Sequence, residues 1–111
     1  MSIKNLFKII KKSRVDKDIN IEELKDIIKV NKNTILLDVR SPQEFKEEHL
    51  KGAINIPLYE LEQCYSSKLK NKETIIVVYC KSGIRSKNAI KKLKKYGFKN
   101  LYNLKDGIDG I

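Results

Sequence analysis

The chain has 111 residues, of which 24 are Lys or Arg and 14 are Asp or Glu, and 41% are hydrophobic. That length holds one folded core, the composition is that of a globular chain, and the longest strongly apolar run, Ile75 to Cys80, falls far short of the ~20 residues of a membrane-spanning helix. The formal charge of +10 admits nucleic acid, anionic lipid or an anionic substrate as partner, but Arg, the residue best suited to bidentate phosphate and base contacts, occurs only 3 times against 21 Lys, so no specific nucleic-acid partner is expected.

Residues 1–17 carry a net +5 and read as an appended basic arm. Ile3, Leu6, Phe7 and Ile10 fall on one face of a helix, with Lys4, Lys8, Lys11 and Lys12 on the remaining arc. A membrane-surface or partner-docking helix would have this pattern, and so would a helix packed on the domain, the commoner case. Residues 18–111 read as one domain. Asn20 and Glu23 have the spacing of a capping box, which predicts a helix to about Val30. Thr34 to Val39 predicts a buried strand, and Ser41-Pro42 opens a short helix over about Gln43 to Glu48. Gly52 to Pro57 is a turn with a brief strand, and Leu58 to Leu69 is helical or irregular. Glu73 to Tyr79 is the strongest strand. Ser86 to Tyr96 predicts a helix with Ala89, Ile90 and Leu93 inward and Gly97 ending it, and Asn100 to Leu104 a last strand. Strands alternating with helices imply an α/β fold with a central parallel sheet covered on both faces.

The stretch Tyr79-Cys80-Lys81-Ser82-Gly83-Ile84-Arg85-Ser86 joins the strongest strand to the clearest helix. In open α/β folds, ligands bind at that junction. A thiol there faces the helix N-terminus, whose free N–H groups and partial positive charge stabilise an anion. Gly83 permits a turn that aims successive N–H groups inward, and Lys81 and Arg85 add two cations. Each effect lowers a thiol's pKa, and the thiolate is the nucleophile. A buried structural cysteine at a strand end is the plain alternative.

The chain resembles a single-domain rhodanese, of the sulfurtransferase family. Leu36-Leu37-Asp38-Val39-Arg40-Ser41-Pro42-Gln43-Glu44-Phe45 is similar to the family's first signature, and His49-Leu50-Lys51-Gly52-Ala53-Ile54-Asn55-Ile56-Pro57 to its second. Cys80 to Arg85 matches the six-residue active-site loop, and Asn103 to Ile111 the closing segment. The resemblance implies the rhodanese-like fold and a catalytic Cys80. The Cys80 thiolate would take a sulfane sulfur from thiosulfate or a persulfide and pass it to cyanide, a small thiol or a protein acceptor. The backbone from Lys81 through Ser82, Gly83 and Ile84 to Arg85 would cradle the persulfide and the donor's anionic end, with the side chains of Lys81 and Arg85 suited to a doubly charged donor.

Asp38 and Arg40 would support the site, with Arg40 paired to Glu44, and His49 would make a structural hydrogen bond. No general base is required. No His/Cys cluster has metal-ligand spacing, so neither a metal nor a cofactor is expected. Cys64 is expected to be inert; a Cys80–Cys64 disulfide after oxidant treatment would instead mark it as a sulfur relay. The chain departs from the family at Asp106, where Gly is usual, at Ile111, where a Trp stands, and at Lys51, where Pro is usual. Other readings are a non-catalytic rhodanese module that binds or carries sulfur, and a thiol phosphatase or arsenate reductase, which would need one more residue between Cys80 and Arg85. With two cysteines and an N-terminal apolar pattern broken by Lys, a cytoplasmic location is expected.

Overall fold

The structure, a computed structural model, describes residues 17–111. Apart from Lys17, the basic arm lies outside the described residues. Five strands make one sheet: β1 (Lys17–Ile19), β2 (Ile35–Asp38), β3 (Ile54–Asn55), β4 (Ile75–Tyr79) and β5 (Asn100–Leu104), in the order β1-β5-β4-β2-β3. Every neighbouring pair is parallel, so all strands end at the same edge of the sheet. The helices are α1 (Ile21–Val30), α2 (Pro42–Glu47), α3 (Leu61–Lys68) and α4 (Ile84–Lys95), with short 3-10 turns at Leu58–Glu60 and Ile108–Gly110. This is the expected α/β arrangement.

The two faces of the sheet are built by alternation along the strands. In β4, Ile76 and Val78 join Cys80 in one core with Leu37, Ala89, Ile90 and Leu93, beneath α3 and α4. Ile75, Val77 and Tyr79 face the other core, with Leu24 and Ile27 of α1. All five β4 residues are therefore buried, which explains why this run has no polar position. The helix starts follow local rules. Asn20 and Glu23 exchange side chain–backbone bonds of 2.8 and 3.1 Å at the start of α1, as expected, and Ser41 and Glu44 do the same for α2.

Two features differ from the sequence-based expectation. β1 had no signal of its own: three residues are too few for a pattern, and the strand exists only because β5 offers an open edge. α4 begins at Ile84, two residues before Ser86, because Gly83 adopts φ +104° and turns the chain directly into the helix. Ile84 and Arg85 thus belong to the first helical turn as well as to the loop.

Candidate active site

Cys80 is the first residue beyond β4 and is 1% exposed. Its sulfur sits under the start of α4, where the Gly83 N–H donates to Sγ at 3.1 Å. Burial alone would push the thiol pKa up. Hydrogen bonds from the Ser86 side chain and from the backbone N–H groups of Ser86, Gly83 and Ser82 outweigh it and bring the thiol below its ordinary value. The loop's backbone can thus stabilise a negative sulfur. Lys81, Ser82 and Ile84 point outward and are exposed.

The loop is held from behind by main chain. A Cβ on Gly83 would collide with the Lys105 carbonyl oxygen beyond β5. The closing segment straps the other side, where Ile108 N–H donates to the Cys80 carbonyl at 2.9 Å and Asp109 N–H to that of Lys81 at 3.0 Å. Gly107, between strap and loop, has φ +58° and ψ −157°, a conformation essentially restricted to glycine. Asp106, which departs from the family pattern, keeps its side chain against Gly110, where a Cβ would come within 2.5 Å of it.

Among the described residues the buried polar or charged side chains are Asp38, Arg40, Ser86 and Asn103. They form two pairs. The expected pairing of Arg40 with Glu44 is incorrect. Arg40 forks onto Asp38, with Nε 3.1 Å from both carboxylate oxygens and Nη2 2.8 Å from Oδ2, and Nη2 also donates to the Glu48 carbonyl at 2.6 Å. The reason is local. The Arg40 N–H bonds to Asp38 Oδ1 at 2.8 Å, folding the two side chains together where a fully buried carboxylate requires a cation. Tyr79 lies beneath, its ring 5.7 Å from the Arg40 guanidinium carbon, and burial pushes its phenol up.

Glu44 instead receives Arg85 in a two-pronged pair at 2.7 and 3.0 Å, bridging α2 and the loop after β4. The Arg85 guanidinium is therefore engaged by Glu44, a pairing that the sequence alone did not indicate. Arg85, backed by Ser41, holds the Glu44 carboxyl down to about 2 from 4.5. Because the folded-state value is depressed, the contribution of this pair is complete above about pH 4.5 and is lost as the pH falls toward 2. Glu44→Gln is therefore expected to be less stable than the parent near neutrality, with the difference closing on acidification. Thermal unfolding of both proteins across that range checks this, and a gap independent of pH would contradict it.

Clefts flank the loop. One of about 190 Å³ is bordered by Arg40, Glu44, Lys81 and Ile108, and another of about 440 Å³ by Val39, Leu58, Tyr59 and Arg85. His49 bonds through Nδ1 to the Phe45 carbonyl at 2.7 Å and stacks on the Phe45 ring, as a structural residue does. Cys64 lies in α3, partly buried against the core that holds Cys80, and both cysteines are unpaired. Among the described residues no His, Cys, Asp and Glu cluster could hold a metal ion.

Sequence reasoning missed Ser86 and Asn103. Ser86 lies on the buried stripe of α4 with Ala89, Ile90 and Leu93, and Asn103 is an amide in an otherwise buried strand. A polar residue on an apolar stripe was the available signal.

The family model for the rhodanese-like domain matches residues 20–111. The thiosulfate sulfurtransferase GlpE of Coxiella burnetii is 32% identical over 93 residues, 84% of each chain. The thiosulfate sulfurtransferase PspE of Escherichia coli is 37% identical over 67 residues, and the tRNA uridine(34) hydroxylase of Buchnera aphidicola 39% over 84. Those alignments cover 60% and 70% of this chain, and the chain spans 64% of PspE but 26% of the hydroxylase. Among solved structures, a rhodanese-related protein from Thermoplasma volcanium superposes with a TM-score of 0.71 at 31% identity, covering 84% of this chain and 87% of that one. The chain belongs to the rhodanese-like domain family.

Proposed function

We propose that this chain is a sulfurtransferase that carries a sulfane sulfur on Cys80. The Cys80 thiolate attacks the outer sulfur of thiosulfate, or the terminal sulfur of a persulfide. The donor's S–S bond breaks, and sulfite or a thiolate leaves with the electron pair. A thiophilic acceptor (cyanide, a small thiol or a protein thiol) then attacks the terminal sulfur of the Cys80 persulfide and expels the Cys80 thiolate. Each step is a displacement at sulfur and needs no general base.

The observation that carries this reading is the backbone cradle, with a buried thiol bonded by the Gly83 N–H and lowered in pKa by the Ser86 hydroxyl and by loop amides. Its amides would hold the negative sulfur and the donor's anionic end. With Arg85 engaged by Glu44, Lys81 is the loop side chain left to attract an anion. Two unpaired cysteines fit a reducing, cytoplasmic setting, and no helix among the described residues is long and apolar enough to cross a membrane.

Incubation with thiosulfate is expected to add one sulfur atom to the intact mass, and cyanide is expected to release it as thiocyanate. Cys80→Ser should lose both, with turnover down by a factor of about 10³ or more. No adduct with thiosulfate or a low-molecular-weight persulfide, an adduct on Cys64 alone, or turnover of a phosphoryl ester in place of sulfur transfer would overturn the reading.

A further inference from the structure

We propose that Asp18, Asn103 and Ser86 form a positioning relay that sets how the Ser86 hydroxyl bonds to the Cys80 sulfur. The proposal rests on Cys80 being the reacting thiol. Ser86 Oγ lies 3.5 Å from Cys80 Sγ, 3.0 Å from the Gly83 carbonyl oxygen and 2.5 Å from Asn103 Oδ1. The two oxygens compete for a single hydroxyl proton, and the sulfur joins them as an acceptor once it is ionised. The shortest contact is to Asn103, whose orientation is decided at the edge of the sheet. Asp18 and Asn103 are register partners between β1 and β5, and Asn103 Nδ2 donates to Asp18 Oδ1 at 2.9 Å. A carboxylate only accepts, so the amide nitrogen must face Asp18 and the amide oxygen must face Ser86.

In the resting thiol the hydroxyl proton therefore points at Asn103, and a Ser86 lone pair faces the sulfur, where it accepts from S–H. When Cys80 ionises, the sulfur needs donors. A bond to a charged sulfur outweighs one to a neutral amide, so the hydroxyl turns to the sulfur. That turn strips the buried Asn103 oxygen of its donor, a cost imposed by Asp18. Without the Asp18 carboxylate the amide is free to turn over, donate to Ser86 through Nδ2, and leave the hydroxyl proton to the sulfur at no such cost. Ser86 and Asp18 thus act on the sulfur with opposite sign. The other charged groups around the relay are the Glu44–Arg85 and Asp38–Arg40 pairs, Lys81, and, along the cleft of about 250 Å³ at Asp18, Lys17, Lys87 and Lys91. They are the same in every variant below.

The test is the ionisation midpoint of Cys80, followed by thiolate absorbance against pH as a difference from Cys80→Ser. Ser86→Ala is expected to raise it by about half a pH unit and Asp18→Ala to lower it by a similar amount. Asp18→Asn offers a donor as well as an acceptor, so it no longer fixes the Asn103 amide and is expected to shift the midpoint in the same direction as Asp18→Ala. In an Asn103→Ala background, which has no amide to orient, Asp18→Ala is expected to leave the midpoint unchanged. Shifts of the same sign in Ser86→Ala and Asp18→Ala would mean loosened structure and would overturn the relay. So would an Asp18→Ala shift that persists in the Asn103→Ala background, which would assign the effect to charge alone. The readout needs no turnover. The expected pattern of shifts in a protein that takes no sulfur from any donor would keep the relay and overturn the sulfurtransferase reading.

Discussion

Asp38→Ala is expected to cost about 3–5 kcal/mol of folding stability, because it leaves the Arg40 guanidinium buried without its counter-charge. Asp38 is wholly buried and Arg40 5% exposed, so water cannot replace the lost partner without local unfolding. Asp38 also accepts the Arg40 backbone N–H, and the Asn55 amide ties the Asp38 and Arg40 carbonyls at 3.0 Å each, so the same substitution loosens the turn that leads from β2 toward the site. For a domain whose total stability is of order 5–15 kcal/mol, that loss is a large fraction of the whole. Urea unfolding measures it. The double variant Asp38→Ala/Arg40→Met removes the orphaned charge and should recover part of the loss. A single variant within about 1 kcal/mol of the parent would mean that Arg40 finds solvent, contrary to this account.

Gly107→Ala is expected to lose about 2–4 kcal/mol and most of the sulfur-loading activity together. Its backbone conformation is closed to alanine, and the added Cβ would come within 2.5 Å of the Cys80 carbonyl oxygen and of the Lys81 carbonyl carbon. Neither is a flexible side-chain end that moves aside cheaply. Both belong to the main chain that carries the thiol, and the Cys80 and Lys81 carbonyls accept from Ile108 and Asp109. Relief of the clash must therefore part the strap from the loop and disturb the amides around the sulfur. Chemical denaturation reads the first effect, and the mass of the thiosulfate-treated protein the second. A stable variant that loads sulfur normally would show that the strap does not support the loop.

Much of the site is legible in one dimension because its parts are neighbours in the chain. The apolar run into Cys80, Gly83 and the periodic helix behind it specify a strand, a tight turn and an amide-rich helix start within a few residues. Capping residues act over three positions, so the start of α1 is legible from Asn20 and Glu23. Failures occurred where a choice between partners depends on distance through space. Arg40 lies four residues from Glu44 and two from Asp38, and sequence spacing favoured the first. Burial of the Asp38 carboxylate and the fold of its turn decided for the second. Glu44 was then free for Arg85, 41 residues away.

The charge follows the same division. Of the net +10, residues 18–85 contribute nothing in sum, while +7 lies in residues 86–105, much of it on the solvent side of α4. Local propensity, capping and turn chemistry make the other elements, the thiol and the loop around it legible from the sequence, but not β1. Only the tertiary structure decided that β1 docks beside β5, which brings Asp18 to Asn103 across 85 residues, and that Ser86 faces the sulfur. Such contacts are set by the register of a parallel sheet and the packing of α4 upon it. Neither leaves a periodic trace in the chain.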